Sequence, residues 1–599
     1  MSFTHNRLCV KLIHCGNKNI AAPGESWEKN CFYLPMGLFP MAAVLKGKGI
    51  DVEIISMDLE GGSIEDVLDF STLDAVGMDC HWVNQSSAVL DLAALIKKIK
   101  PGVFIFLGGY SASFFSHEIL TNYSAVDAVI KGDGEVPIAE LCDVLRKRTQ
   151  GASNLDNVRN LSWKNDRGEI VSNDISYVAA PEQLDTLDFA EISLLRNWKY
   201  YRDLSKFWTK FTPLDQFPVF FLEVGRGCCY NCSFCGGNSR AQECIGNRRG
   251  FAVRSIDSVI ATIEKAVSYG YGMIYHSLEF EGSDRWYSEL FRRIKKENIV
   301  KNHAYGCWGV PSKFLIDELS ECFEHAIIEV SPETADLELR KKNKDRRICY
   351  SNEELEECLD YIKTKPNVKI QLYFGYFLPF ETEESVFTTL NYISTLLRKY
   401  SSVAEVIYSN LSTDPASLLF LDPGKYDVAI SVRCIGDYID ALKENNIERI
   451  KESQSNLTLF RPAGIPHDEA VHLAKKIEFF KRTFSLFHHS ALLILNKAAR
   501  ANVICDYLRT ADLSGTPISQ FTPARIRDVL SDICNTYNIR SAELRQVIYD
   551  EYKNGVDVNV NLTIKGDTGE TGTVTEEEKN RVRRSIRQAR GNIEADFDI

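Results

Sequence analysis

The stretch Glu223-Val-Gly-Arg-Gly-Cys228-Cys-Tyr-Asn-Cys232-Ser-Phe-Cys235-Gly-Gly237 decides how the rest of the 599-residue chain is read. Cys228, Cys232 and Cys235 have three and then two residues between them. Thiolates ligate iron–sulfur clusters, and a four-iron cluster has four irons to ligate. Three ligands from one short loop leave one iron open for a ligand that is not protein. The glycines on both sides let the loop fold tightly around a bulky inorganic core.

A structural zinc site is the rival reading. Zinc usually takes four ligands, often as two paired Cys-x-x-Cys units. The extra thiols nearby are Cys229, which adjoins a ligand and must point elsewhere, and Cys244, which has no pairing partner. The triplet, with Glu-x-x-Arg-Gly before it and Phe-Cys-Gly-Gly after it, resembles the signature of the radical S-adenosylmethionine (SAM) enzymes. That resemblance implies a [4Fe-4S] cluster on Cys228, Cys232 and Cys235, with SAM chelating the open iron. It implies Phe234 flanking the adenine, Gly236 and Gly237 beside the cofactor, and cleavage of SAM to a 5′-deoxyadenosyl radical. An electron donor such as flavodoxin or ferredoxin is then the expected partner.

The length suggests about three domains, since single cores stop growing near ~250–300 residues. Hydrophobic residues at 44% and charged residues at 25% are ordinary for a globular protein. A net charge of −12 argues against nucleic acid as the main partner. No apolar run approaches the ~18 residues of a membrane span, and the N-terminus has no signal-peptide core. The 17 scattered cysteines read as reduced thiols, mostly core residues, which predicts a cytoplasmic protein. A monomer is expected.

Over residues 1–150, apolar runs at Leu8–His14, Val52–Met57, Ala75–Met78, Val103–Leu107 and Val126–Ile130 alternate with helical stretches such as Leu38–Leu45, Ala88–Ile99 and Phe114–Leu120. This predicts a parallel sheet with helices on both faces, binding ligands beyond the carboxyl ends of its strands. Leu107-Gly-Gly-Tyr-Ser-Ala-Ser113 follows the fourth strand and Lys131-Gly-Asp-Gly-Glu135 the fifth. Neither matches the dinucleotide fingerprint or the Walker pattern. With Pro35-Met-Gly-Leu38, and in this order before the cysteines, they resemble the cobalamin-binding domain fused to many radical SAM enzymes. The resemblance implies cobalamin contacts from Gly108, Gly109, Ser113, Gly132, Gly134 and Glu135, and from His81 and Ser86 beside the third strand. Asp79-Cys-His81-Trp-Val-Asn84 is similar to a cobalt-ligating Asp-x-His-x-x-Gly motif, but Asn84 replaces the glycine and the motif belongs after the first strand. His81 therefore coordinates cobalt, lines the cofactor's face, or packs locally.

Residues 151–215 read as a connector, with a hairpin over Asn160–Val171 turning at Asn165, Asp166 and Gly168. Residues 216–440 show six β-then-α units beginning with the apolar run Val219–Val224. In the radical SAM family this is a partial (β/α)6 barrel, with functional groups at strand C-terminal ends. Glu279 and Glu281 end the second strand, and the resemblance implies Glu281 on SAM's ammonium. Ser331 and Glu333 end the fourth and are implied on its ribose and carboxylate. Leu378-Pro-Phe-Glu381-Thr382 is similar to the family's Leu-Pro-Gly-Glu-Thr turn, with Phe380 in place of glycine. Thr413-Asp-Pro-Ala416 is similar to a segment bordering substrate. Residues 441–599 read as mainly helical: Glu469–Phe484, Ser490–Leu508, Pro523–Asn535 and Ser541–Tyr552, then a strand at Val556–Ile564, a Gly/Thr loop and a charged helix, Glu576–Arg590. These helices are expected to cap the barrel and help shape the substrate site.

The resemblance, covering about residues 1–440, implies a cobalamin-dependent radical SAM C-methyltransferase. Methyl would pass from SAM to cobalamin to an unactivated or aromatic carbon of a natural product or peptide. The alternatives are a rearrangement or cyclisation enzyme on the same cofactors, and a two-cluster methylthiotransferase using Cys9, Cys15 and Cys31. A non-catalytic corrinoid carrier is disfavoured, because a carrier has no need of a cluster.

Overall fold

The computed structural model describes residues 8–15, 34–57, 60, 63–148, 154–165, 167–207, 209–411, 413–444, 460–498, 502–539, 544 and 546–552. Cys31, Asp166, the strand expected at 556–564 and everything after it lie outside the described residues.

Two parallel sheets organise the chain. The first contains β1 (Cys9–His14), β2 (Asp51–Ser56), β3 (Ala75–Asp79), β4 (Phe104–Gly108), β5 (Ala128–Ile130), β6 (Leu161–Lys164) and β7 (Ile170–Ser172). Its order is β2-β1-β3-β4-β5-β6-β7. The first five strands are parallel, and β6 and β7 add antiparallel at the edge. The expected hairpin therefore exists, but it extends the first sheet rather than standing in a separate connector. Strand order reverses between β1 and β3, which makes their carboxyl ends the natural ligand crevice. β1 and β3 are buried nearly throughout, as strands covered by helices on both faces must be. The stretch expected as one helix over Phe114–Leu120 is two short ones, Tyr110–Phe114 and Ser116–Asn122.

The second sheet runs β15-β14-β13-β12-β11-β8, all parallel. Its strands are β8 (Val219–Phe221), β11 (Met273–His276), β12 (Asn302–Cys307), β13 (His325–Glu333), β14 (Val368–Tyr376) and β15 (Ala404–Asn410). Six strands with crossover helices give the expected partial barrel. Side-chain caps start the helices: Ser255, Ser312 and Thr382 each accept a hydrogen bond from a backbone N–H of the first turn. A small ribbon, β9 (Gly225–Gly227) with β10 (Phe251–Val253), stands between β8 and β11 and carries the segment just before the cysteines. Phe207 and Leu214, from the segment before β8, pack with Val219, Met273, Ala304 and Ile327 to plug the lower barrel.

The C-terminal helices differ from expectation in one respect. The stretch expected as Ser490–Leu508 is two helices, His488–Lys497 and Val503–Thr510. With His467–Leu486 they pack on the outer barrel helix Glu383–Tyr400, where Arg509 pairs with Glu384 at 2.6 Å. Helix Ile435–Glu444 instead reaches back to the first sheet's helix Ser86–Ile99. There the carboxylate of Glu118 accepts the N–H groups of Ile435 and Gly436 at 3.1 and 3.2 Å.

Candidate functional site

At the carboxyl ends of β1, β3 and β4 lies a cavity of about 500 Å³. One wall is the first sheet and its turns. The other comes from the start of the cluster segment, with Glu223, Arg226 and Gly227, and from the helix and loop beyond the cysteines, with Gln242, Gly246 and Arg248. The glycine turns and the segment that leads into the cysteines thus face one space, with Cys228, Cys232 and Cys235 outside its lining.

Missing side chains shape this space. A Cβ on Gly77 would lie 2.5 Å from the Phe106 ring, and one on Gly109 would lie 2.8 Å from the His81 backbone. Gly109 also holds φ +98°, a conformation that suits glycine. A Cβ on Gly132 would lie 2.9 Å from the Gly246 Cα, so the two halves of the molecule touch backbone to backbone. Gly108, Gly109, Gly132, Gly134, His81, Ser113 and Glu135 all line the cavity.

Several expected contacts are reassigned. Ser86 is buried outside the cavity wall, and its hydroxyl donates to the Val83 carbonyl at 2.6 Å to start its helix. The Ser113 hydroxyl donates to the Gly109 carbonyl at 2.7 Å and accepts from Gly132 N–H at 3.1 Å. It braces the two glycine loops against each other at the cavity wall. The Asp79 carboxylate pairs with His14 Nδ1 at 2.7 Å, at the end of the first strand, rather than supporting His81. His81 packs edge-on against Tyr110, and burial pulls its pKa down to about 4, so it stands neutral at the cavity.

The cysteine loop is held from three sides. Tyr230 N–H points to Cys228 Sγ at 3.4 Å, and Gly237 N–H to Cys235 Sγ at 3.3 Å. Asn238 caps the next helix and donates to the carbonyls of Cys232 and Cys235 at 3.1 and 2.8 Å. Ser233 bonds Asn343 at 2.6 Å, and Asp345 accepts Asn231 N–H at 3.1 Å. Gly236 N–H donates to Asp414 at 3.2 Å, in the segment after β15. Gly236 also has no room for a Cβ, which would lie 2.6 Å from that of Asp414. Burial raises all three thiol pKa values, that of Cys228 to about 11, so without a metal they carry protons. Among the described residues no three His, Cys, Asp or Glu side chains stand close enough to hold one metal ion.

Around the barrel mouth the expectations fare unevenly. Glu333 is mostly buried, holds φ +64° and stands 4.0 Å from Lys344. Burial lifts its pKa to about 7. A non-glycine residue in left-handed backbone at a strand end marks strain of the kind that gathers at binding sites. Ser331 sits beside it and gives its carbonyl to Lys344. Glu281, by contrast, is exposed. Its neighbour Glu279 accepts the N–H groups of Trp308 and Gly309 at 2.6 and 3.0 Å. The turn after β14 survives its substitution: Phe380 itself takes φ +65°, and buried Glu381 accepts the N–H groups of Phe377 and Leu378.

Sequence reasoning missed Lys344, whose ammonium lies buried between the carbonyls of Trp308 and Ser331. It also missed Glu329, inside the barrel, which accepts from the hydroxyls of Tyr275 and Tyr373 at 2.8 and 3.0 Å. Inward-facing polar residues on otherwise apolar strands were the available signal for Glu329. Cys9 and Cys15 lie at opposite ends of the six-residue β1, roughly 20 Å apart at ~3.3 Å per residue, so they do not converge on a second cluster.

Comparison with known proteins agrees with this geometry. Residues 32–142 match the B12 binding domain family. A hopanoid C-3 methylase of Methylococcus capsulatus is 30% identical over 205 residues, 34% of this chain and 35% of that protein. An uncharacterised methyltransferase of Pyrococcus horikoshii is 26% identical over 246 residues, 40% of this chain and 47% of that protein. The chain thus spans less than half the length of these relatives. Among solved structures, the radical SAM methyltransferase TsrM of Kitasatospora setae, with cobalamin and a [4Fe-4S] cluster bound, superposes with a TM-score of 0.52. The identity is 14%, over 72% of this chain and 84% of that one. Residues 32–142 thus match a B12 binding domain, and the chain shares the overall fold of TsrM.

Proposed function

We propose that this protein is a cobalamin-dependent radical SAM methyltransferase that methylates a carbon of a natural-product or peptide substrate. The observation that carries the reading is the cavity whose opposite walls are the turns of the B12-binding match and the residues flanking the cysteine loop. The residues fit the groups required. For cobalamin there is a cavity lined by the glycine turns at Gly108, Gly109, Gly132 and Gly134, and a buried carboxylate oxygen, Glu135 Oε2, with no partner, able to accept an amide of the corrin periphery. For the cluster there are three thiols of one braced loop.

When bound, the cluster with SAM supplies reductive radical generation, and cobalamin supplies a methyl carrier. The chain's own work is placement and exclusion. Cys228, Cys232 and Cys235 would hold the cluster as thiolates, and the amides of Tyr230 and Gly237 point at the sulfurs of Cys228 and Cys235, where they would stabilise the thiolate charge. Phe234, half-buried beside them, offers an apolar face to an adenine. Glu333 offers a carboxylate to SAM's polar end, with Ser331 next to it. The plug at Phe207 and Leu214 closes the lower barrel, so a substrate enters from the cavity side and meets Glu329 and its two tyrosines within.

The test is product analysis under anaerobic, reducing conditions with the loaded protein and SAM. S-adenosylhomocysteine that forms only when cobalamin is present is the expected result. 5′-Deoxyadenosine with no S-adenosylhomocysteine would contradict methyl transfer and favour the cyclisation reading.

A further inference from the structure

Glu223-Val-Gly-Arg226 precedes the first cluster cysteine, and Gly132-Asp133-Gly134-Glu135 follows β5 of the first sheet. The fold brings them together. Arg226 Nη1 donates to Asp133 Oδ1 at 3.1 Å, Nη2 to Glu135 Oε1 at 2.6 Å, and Nε to Glu223 at 3.3 Å. Arg248, from the stretch before β10, donates to the other oxygen of Asp133 and to the Ala179 carbonyl. The guanidinium of Arg226 also lies over the Phe189 ring, 5.7 Å from its centre. The side chain of Glu135 is only 1% exposed, and those of Arg248, Asp133 and Arg226 7, 14 and 17%. These are not surface ion pairs, which contribute little. The three carboxylates hold Arg226 firmly charged although it is desolvated. All five side chains line the cavity wall. Arg226 stands in β9, paired with Ala252 of β10, two residues before Cys228.

We propose that Arg226 is a positioning residue that registers the corrin-binding loop against the cluster loop, and so fixes the spacing of the two cofactors. It binds neither cofactor's metal. Its planar fork spans Asp133 and Glu135 at once, which a lysine cannot do. Its loss leaves buried Glu135, which already has one unpartnered oxygen, without an ion-pair partner, and Asp133 with Arg248 alone. The loop then relaxes away from β9. The inference rests on the cobalamin and cluster assignments above, and the test separates its failure from theirs.

The test uses the full chain, cluster-loaded, titrated with hydroxocobalamin. R226Q is expected to weaken binding at least about tenfold, D133N comparably, and the double variant R226Q/D133N no more than the worse single. R226K, which keeps the charge, recovers only part of the loss. At saturating cobalamin, with cobalt as Co(II) and the cluster reduced, the wild type shows dipolar broadening of the cobalt electron paramagnetic resonance signal. In R226Q that broadening weakens or becomes heterogeneous, which a merely stabilising residue would not cause. Additive losses in the double variant, or wild-type affinity and broadening in R226Q and R226K, would overturn the proposal while leaving the cofactor assignments intact. Should R226Q not fold, R226K decides by the same two readouts. A wild type that binds no cobalamin overturns the assignments and the proposal together.

Discussion

The two sheets are built from the same strand-and-helix unit, yet their carboxyl ends are furnished in opposite ways. The first brings backbone and turns into close contact: at Gly77, Gly109 and Gly132 a Cβ would strike Phe106, His81 or Gly246. The second fills space with chemistry: three thiols, the strained carboxylate of Glu333 and buried Lys344. Under the proposed function, the difference reflects what each end would hold. A large organic cofactor is held by shape and backbone approach, whereas an inorganic cluster and a charged sulfonium ligand need particular donor atoms. Where the two ends meet, Arg226 and Arg248 answer Asp133 and Glu135.

The largest expected separation of the two ends is C232A. It should abolish SAM cleavage and lower the iron content below the roughly four irons of an intact cluster, with cobalamin binding intact by absorbance. Retained cleavage would break the cluster assignment. G109A should do the reverse. Strained backbone costs of order 1–3 kcal/mol, and cobalamin affinity should fall at least about tenfold with iron content unchanged. Equal loss of iron would mean that the ends are not separable.

A smaller effect concerns pH. Glu333 keeps its proton in the fold up to about pH 7, against an ordinary value of 4.5. Its contribution to stability is therefore full below the ordinary value and is lost as pH rises through about 7. The melting temperature of the cofactor-free protein should fall between pH 5 and 8, and E333Q should flatten part of that fall. Glu381, buried with its pKa lifted to about 8, accounts for a remainder. An unchanged pH profile in E333Q would place Glu333 in contact with water. The smallest effect is E281A, which should change SAM affinity by less than about twofold, because the side chain is exposed. A larger loss would restore Glu281 to the site.

The sequence was most legible where chemistry or backbone demands a residue type. The cysteine triplet, the glycine turns and the six barrel repeats all lie where their patterns put them. Phe380 shows the limit of that logic, since a non-glycine residue accepts left-handed backbone when Glu381 ties down the turn from inside. The hydrogen bonds of Ser113 and Ser86 to the Gly109 and Val83 carbonyls were not legible, because which carbonyl lies nearest a hydroxyl is a tertiary fact. His14–Asp79 and Arg226–Glu135 join residues 65 and 91 positions apart, so no local pattern announces them. The C-terminal helices were expected at the barrel mouth. Their amphipathic faces say only that they pack on something, and among the described residues none of theirs lines the cavity.

The central claim is that the cavity holds a corrinoid beside a single cluster on the neighbouring cysteine loop. Anaerobic reconstitution of the full chain with iron, sulfide and hydroxocobalamin, followed by metal counting and an absorption spectrum, tests it most directly. One cobalamin and about four irons per chain are predicted. About eight irons with no corrinoid would contradict the claim and point to a two-cluster enzyme instead.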